Sequence, residues 1–231
     1  MKSFFELVIK DVISKVVFEK TFFIIPNRRS KVFLKKEIVK SIKNTTLSPQ
    51  ILSIDDFIEL ISEMNESPKT TQIFNLYEAY MKVSKKKDFE SYSLFRNWSN
   101  MLLDDINDVD MSLAKSNDVF NYLFEIQKLQ TFSKEEGKTK LEFWKMIPQI
   151  VNEFKQILQK KDNASKGSCH LKAKENINIF SNSHSDNSFI FIGLNSLSKS
   201  EEFIINHLLE NNNSKIYWDC ESIYLKNKNH Q

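Results

Sequence analysis

Glycine is scarce in this chain, which has only 3 glycines and 4 prolines among 231 residues. Loops that wrap a phosphate with backbone N–H groups need glycine, because it tolerates their φ angles and the close approach of the ligand. One near match, Glu136-Gly137-Lys138-Thr139, fails the phosphate-loop pattern, since Phe132 stands where the first glycine is required. The composition therefore argues against a glycine-loop nucleotide site, and we expect a turn before a helix at Gly137–Thr139.

Cysteine is also rare, with only Cys169 and Cys220 present. These two residues are far apart, and His170 has no second metal-ligating pair, so a zinc or iron–sulfur site is not predicted. Such cysteine usage is typical of a reducing, cytoplasmic compartment. The apolar start of the chain is interrupted at helical intervals by charges such as Glu6 and Lys10, which predicts an amphipathic helix over about Phe4–Phe18 instead of a secretory leader or a membrane span.

No strong excess of charge marks the chain, because 33 basic and 30 acidic residues leave a net charge of only +3. Any contact with nucleic acid must therefore come from a local basic patch. The carboxylate run Leu103–Asp110 lacks the turn glycine and the closing glutamate of a calcium loop, so we interpret it as an acidic helix end. The sequence also contains no nucleophile elbow, no zinc motif and no evident catalytic triad.

Two parts of the chain show short apolar runs that are each followed by a helical pattern. The runs Phe22–Ile25 and Gln50–Leu52 lie near the start, and Phe189–Ile192 and Lys215–Trp218 lie near the end. Continuous apolar strands that alternate with helices are typical of a parallel sheet covered on both faces. We therefore predict one α/β domain from residues 1–56 and 175–231, with its strands in a single parallel sheet.

The middle of the chain, residues 57–160, lacks strand-like runs and shows apolar and aromatic stripes at helical spacing. We predict that it forms an all-helical subdomain inserted in the α/β domain. Residues 161–174 are predicted to be a polar linker within a mostly polar surface connection, Asp162–Asn187, in which Ile177–Phe180 is a candidate edge strand.

Polar side chains follow the predicted strands where α/β proteins place their functional groups. Pro26 ends the first strand, Asn27 is a candidate helix cap, and the helix that follows has Val32, Phe33, Leu34, Ile38 and Val39 as its apolar members. The residues that we select as candidate DNA or phosphate contacts are Asn27, Arg28, Arg29, Lys31, Lys35, Asn195 and Ser196. The alternative interpretation is that Arg28 and Arg29 only form a solvated helix start.

Several segments, taken in order, resemble the N-terminal region of AddB-like PD-(D/E)XK exonucleases, of the RecB-type nuclease superfamily. They read FIIPNRRSKVFLKKEI, LSIDDFIEL, FRNWSNMLLDDINDVD, FIFIGLNSLSKSEEFI and IYWDCESIYL. The resemblance spans most of the chain and is weakest across Asp162–Asn187.

This resemblance implies a RecA-like, superfamily-1 helicase-like lobe with a helical insertion, in which the phosphate loop is lost. The segment that corresponds to the ATPase acid motif reads Phe191-Ile192-Gly193-Leu194-Asn195 and carries no acidic residue. The family's nuclease domain, which would need magnesium, has no counterpart before Gln231, so we expect this sequence to be either a fragment of a longer protein or a truncated product. No cofactor is expected in this chain itself.

The function that the resemblance implies is that of a non-catalytic lobe in a DNA-repair and recombination exonuclease. Its expected partners are DNA, the remaining domains of the parent chain and a helicase–nuclease subunit, with no membrane role. Two alternatives remain open at this point. One is an atypical ATP-dependent helicase or nucleotide hydrolase, and the other is an α/β protein-interaction module without a nucleic-acid role.

Overall fold

The computed structural model describes residues 3–42, 46–84, 90–131 and 137–219, and its elements alternate as an α/β fold requires. The strands are β1 (Thr21–Ile25), β2 (Gln50–Ser53), β3 (Ser188–Ile192) and β4 (Asn213–Tyr217). The helices are α1 (Phe4–Val12), α2 (Ser30–Ser41), α3 (Ile54–Ser62), α4 (Lys69–Val83), α5 (Tyr92–Met111), α6 (Ser116–Thr131), α7 (Gly137–Lys160), α8 (Lys166–Ser183) and α9 (Lys199–Asn211). The helix-rich α/β class predicted from the sequence is confirmed.

The four strands form one all-parallel sheet in the order β2-β1-β3-β4. The register pairs Phe22 with Gln50 on one side and with Phe189 on the other. Strands β1 and β3 are central and every residue in both is buried, which explains why their sequences are continuously apolar. The prediction of a single parallel sheet is therefore correct.

Each face of the central strands is covered by helices of the same unit. One face carries Phe23, Ile25, Ile190 and Ile192, which share a core with buried residues of α1 and α2. On the opposite face, the Phe57 ring of α3 lies 5.9 Å from the Phe189 ring and 6.0 Å from the Phe191 ring, measured between centroids. The Phe180 ring of α8 completes this aromatic cluster, 5.8 Å from the Phe57 ring.

Helix α8 corrects the prediction for residues 161–187. The expected surface connection and the candidate edge strand Ile177–Phe180 are wrong, because Lys166–Ser183 is one helix. Its buried members Cys169, Ala173, Ile177 and Phe180 recur every three or four residues, which is the spacing of one helix face. Cys169 and Ala173 carry little apolar signal, and most of the residues between the four buried positions are lysine, glutamate, histidine or asparagine. This polar composition hides the helical period.

Three other local expectations are corrected by the structure. Helix α1 ends at Val12, not near Phe18, and a short 3-10 turn at Phe18–Lys20 leads into β1. Gly137–Thr139 belongs to the first turn of α7 instead of preceding it. Helix α2 begins at Ser30, three residues after Asn27, and buries only Leu34 and Ile38 of its five apolar members.

Contacts divide the chain into two compact units. The sheet unit comprises Met1–Ile61 with Lys174–Gln231, and the helical unit comprises Ser62–Ala173, inserted between β2 and β3. The helical unit thus begins at Ser62 instead of residue 57, which leaves nearly all of α3 with the sheet, and it includes residues 161–173 of the expected linker 161–174. Among the described helices, none is both long enough and apolar enough to cross a membrane.

The helical unit has its own core, to which α4, α5, α6 and α7 all contribute buried apolar residues. On α6 the buried residue is Phe120, whereas Tyr122 is 68% exposed. The acidic run predicted as a helix end lies in the last turns of α5, as expected. One of its carboxylates, Asp110, is buried and accepts hydrogen bonds from Lys155 Nζ at 2.6 Å and from Ser116 Oγ at 2.7 Å. Asp110 therefore has a structural partner on α7, whereas Asp105 and Asp108 are exposed.

The aromatic cluster on the α3–α8 face predicts a large stability difference between two phenylalanines. Phe57 is fully buried, whereas Phe33 on α2 is 63% exposed. Phe57→Ala should lower the free energy of unfolding by about 3–5 kcal/mol, through lost burial and a residual cavity. The matched substitution Phe33→Ala should change it by no more than about 0.5 kcal/mol. Urea denaturation of both variants tests this, and equal destabilisation would contradict the assigned burial.

Candidate functional site at the carboxyl edge of the sheet

The loops that follow the four strands leave the same edge of the sheet, because all strands are parallel. The chain passes from β1 to β2 in one direction and from β3 to β4 in the other, so the topological switch point lies between β1 and β3. Open α/β sheets bind their ligands in the crevice at such a point. Asn27, Arg28 and Arg29 follow β1, and Asn195 and Ser196 follow β3, so the selected residues flank this crevice.

All seven candidate residues are exposed, which a binding role requires. They are Asn27, Arg28, Arg29, Lys31, Lys35, Asn195 and Ser196. Within the described part of the chain, no hydrogen bond joins the β1 loop to the β3 loop. The candidate residues after β1 and those after β3 thus lie at neighbouring strand ends without a hydrogen bond between them.

Asn27 organises the turn between β1 and α2. Its side-chain Oδ1 accepts hydrogen bonds from the Ser30 backbone N–H at 3.1 Å and from the Ser30 hydroxyl at 3.2 Å. This is the bonding expected of a capping asparagine, although the regular helix begins only at Ser30. The first turn of α2 contains no acidic residue, so its N-terminal dipole is not neutralised by the helix's own side chains.

Arg28 has a partner that the sequence pattern did not reveal. Its Nε and Nη2 atoms donate to Asp56 Oδ1 at 3.0 and 2.5 Å. Asp56 lies in the first turn of α3, where Ser53 Oγ accepts from the Asp56 N–H at 3.2 Å and Asp56 Oδ2 accepts from the Ser53 N–H at 3.4 Å. Ser53 therefore caps α3, and Arg28 is held against the adjacent strand end.

The electrostatics of Asp56 follow from these contacts. Burial raises the pKa of the Asp56 carboxyl, but hydrogen bonds from Arg28 and from the Ser53 side chain and backbone outweigh burial, so its pKa lies below the usual value. The same pair raises the pKa of Arg28 above its usual value. Asp56 therefore stays ionised and offsets one of the positive charges at this edge.

Four of the cations that follow Arg28 are left uncompensated. Residues 28–40 carry six basic side chains against one acidic side chain, a local net charge of +5 in a chain of net charge +3. The acidic residue, Glu37, pairs with Lys40 at 2.8 Å. In the described ranges, no carboxylate pairs with Arg29, Lys31, Lys35 or Lys36, and all four are exposed. Lys31 and Lys35 are four residues apart and share one side of α2.

The other helix starts at this edge differ from that of α2. The α3 start holds Asp56, and the α9 start has a capping box, in which the Glu201 side chain accepts from the Ser198 N–H at 2.7 Å. Each of these N-termini is therefore occupied by a carboxylate of its own. Among the described helices that start at this edge, α2 alone has no carboxylate in its first turn and has unpaired cations nearby, so it is the best place for an anion.

The β3 loop adds hydrogen-bonding groups without charge. Gly193 has φ of +68°, a conformation that glycine adopts without strain, and its N–H donates to Tyr217 O at 2.8 Å. Leu194 is buried and anchors the loop, while Asn195 and Ser196 face solvent. In the described residues that follow β3, up to Ser200, no acidic group is present to hold a metal for nucleotide hydrolysis.

Sequence reasoning missed two features of the site. The first is the Arg28–Asp56 pair, which depends on the adjacency of β1 and β2. The second is the solvent face of α2, where Val32, Phe33 and Val39 are 70%, 63% and 66% exposed beside the lysines. No protein-family model matches the chain, and no curated protein matches it at a significant level.

The Arg28–Asp56 pair predicts how the carboxyl of Asp56 titrates. In the native protein its pKa should lie below the usual aspartate value, and Arg28→Met should move it upward because the largest favourable hydrogen bond is lost. Because the native pKa is depressed, the pair stabilises the fold above the unfolded-state pKa, and this contribution disappears as pH falls through the native pKa. An NMR titration of the Asp56 carboxyl carbon measures both pKa values.

Arg29→Met is the matched control for this titration, because Arg29 has no carboxylate partner in the described ranges. It should leave the Asp56 pKa nearly unchanged. An equal upward shift in both variants would show that general surface charge, and not the Arg28 contact, controls the carboxyl.

Proposed function

We propose that this chain is a non-catalytic, RecA-like lobe of a DNA-repair and recombination exonuclease of the AddB-like kind, and that it contacts the DNA backbone. The observation that carries the proposal is the cluster of exposed, unpaired cations Arg29, Lys31, Lys35 and Lys36 at and beyond the start of α2. Phosphate contacts of this type need positive side chains and helix N–H groups, and both occur here.

The architecture supports this proposal in a second way. The all-parallel sheet with a helical unit inserted between β2 and β3 matches the organisation that the family resemblance implies. In this proposal, the lobe works in the cytoplasm and tracks the DNA backbone. It also serves as a scaffold for a partner subunit and for the magnesium-dependent nuclease domain of a parent protein. A hydrolase activity would then belong to that nuclease domain.

The set of residues proposed to contact phosphate is smaller than the set selected from the sequence. The guanidinium of Arg28 is paired with Asp56. In this proposal, Arg29, Lys31 and Lys35 therefore contact the phosphates, and Lys36, the next residue on α2, adds a further positive charge. Asn27 shapes the turn, and Asn195 and Ser196 supply neutral hydrogen bonds from the neighbouring loop. The alternative of an ATP-dependent motor gains no support from this edge, since the loop after β1 contains no glycine.

A second candidate function is that of a protein-interaction module, and one observation favours it. Val32, Phe33 and Val39 are exposed on α2, and apolar side chains gain little from a phosphate backbone. In that case, the lysines around these residues would steer an acidic protein partner to the helix. The DNA-binding experiment below separates the two functions.

Charge reversal at Arg29 and Lys31 should weaken DNA binding strongly. In Arg29→Glu/Lys31→Glu, two phosphate contacts become repulsive, so we expect at least a tenfold loss of affinity for a short duplex, which corresponds to about 1.4 kcal/mol. The slope of log affinity against log salt should also become shallower by about 2, because each lost contact no longer releases counterions. Titrations of DNA at two salt concentrations provide both quantities.

The matched control is Lys10→Glu/Lys115→Glu, which changes the net charge equally at two exposed lysines, one on α1 and one immediately before α6. It should retain most of the affinity. If both double variants bind DNA as the unmodified protein does, or if they lose affinity equally, the α2 start is not a DNA contact. Retained binding in the α2 variant would leave protein interaction as the better-supported function.

A further inference from the structure

The helical unit contains a cleft that the DNA-contact proposal does not use. It lies between α5, α6 and α7 and has a volume of about 380 Å³, within the size range of pockets that hold small organic ligands. Four aromatic side chains line it, together with aliphatic residues, and they are Trp98, Phe120, Phe143 and Trp144.

The aromatic wall of the cleft has defined geometry. The Trp98 and Phe143 rings meet edge to face with centroids 5.1 Å apart, and the Phe143 and Trp144 rings do so at 6.1 Å. The Trp98 indole Nε1–H donates to Glu90 Oε2 at 2.9 Å, which fixes the orientation of this ring. Trp98 and Trp144 are only partly buried, so aromatic surface remains for a ligand to contact.

Two carboxylates, Asp105 and Asp108, also line the cleft. They are three residues apart on α5 and therefore neighbours on one side of the helix. In the described ranges, neither has a cationic partner, whereas the adjacent Asp104 pairs with Lys69 Nζ at 2.8 Å. Burial raises the pKa of Asp105 above its usual value, and the charges of Asp108 and Asp104 raise it further.

The carboxylates and the aromatic rings together restrict the charge and the shape of a ligand that this cleft can bind. The carboxylates disfavour an anion and attract a cation, and the indole and phenyl rings offer both apolar surface and cation–π attraction. A metal ion fits poorly, because hard cations need about six oxygen ligands. Among the described residues, no cluster of three or more metal-ligating side chains occurs.

We propose that this cleft binds a small organic cation, an ammonium group on an aromatic or aliphatic body. The body lies against Trp98, Phe143 and Trp144, and the ammonium group lies between Asp105 and Asp108. This site is in the helical unit and is independent of the DNA contact on α2.

The test uses three probes with similar bodies and different charges: 2-phenylethylammonium, 2-phenylethanol and 3-phenylpropionate. Indole N–H signals of the protein labelled with ¹⁵N-tryptophan report binding, because Trp98 and Trp144 line the cleft while Trp218 follows β4 in the sheet unit. At pH 7 we expect the ammonium probe to shift the Trp98 and Trp144 signals saturably and to leave Trp218 unchanged. It should bind about fivefold tighter than the alcohol, and the carboxylate probe should bind weakest.

A second test of the proposal neutralises the two carboxylates that line the cleft. Asp105→Asn/Asp108→Asn should remove the preference for the ammonium probe over the alcohol, while Asp104→Asn should retain it. Both variants alter exposed residues, and circular dichroism verifies that they are folded. The proposal is overturned if the ammonium probe gives no saturable shift, if the alcohol binds as tightly, or if the preference survives neutralisation of Asp105 and Asp108.

Discussion

The pairing of β1 with β3 is the constraint on which the rest of the structure depends. It joins Thr21–Ile25 to Ser188–Ile192 across the whole inserted helical unit, with Phe22 beside Phe189 and Ile24 beside Phe191. All these residues are buried, so neither strand can be stable without helices on both faces of the sheet. Helices α1 and α2 cover one face, and α3 and α8 cover the other.

The same pairing determines where function can occur. Because β2 and β3 lie on opposite sides of β1, the loops after β1 and β3 flank the switch point of the sheet. Local contacts then distribute the charge unevenly along this edge of the sheet. Asp56 and Glu201 occupy the starts of α3 and α9, and Arg28 is drawn to Asp56, so the uncompensated positive charge is concentrated on α2. An overall charge of +3 conceals this local concentration.

The central strands and the main helices could be predicted from the sequence because their burial leaves a continuous or periodic apolar pattern. Helix α8 could not, since Cys169 and Ala173 carry little apolar signal among polar neighbours. The exposure of Val32, Phe33 and Val39 on α2 could not be predicted either. The apolar residues of this helix lie on opposite sides of it, and periodicity alone does not say which side is buried. The Arg28–Asp56 pair and the cleft beside Trp98 arise from contacts between elements distant in sequence, which no local pattern records.

The proposed DNA contact at the start of α2 is tested most directly by a map of the residues that DNA perturbs. Backbone amide signals of the ¹⁵N-labelled protein can be followed by NMR as a short DNA duplex is added. If DNA contacts the start of α2, the perturbed signals should concentrate at residues 27–36 and at 193–196, and the perturbations should decrease as salt is raised. Perturbations confined to other surfaces, or none at low salt, would contradict it.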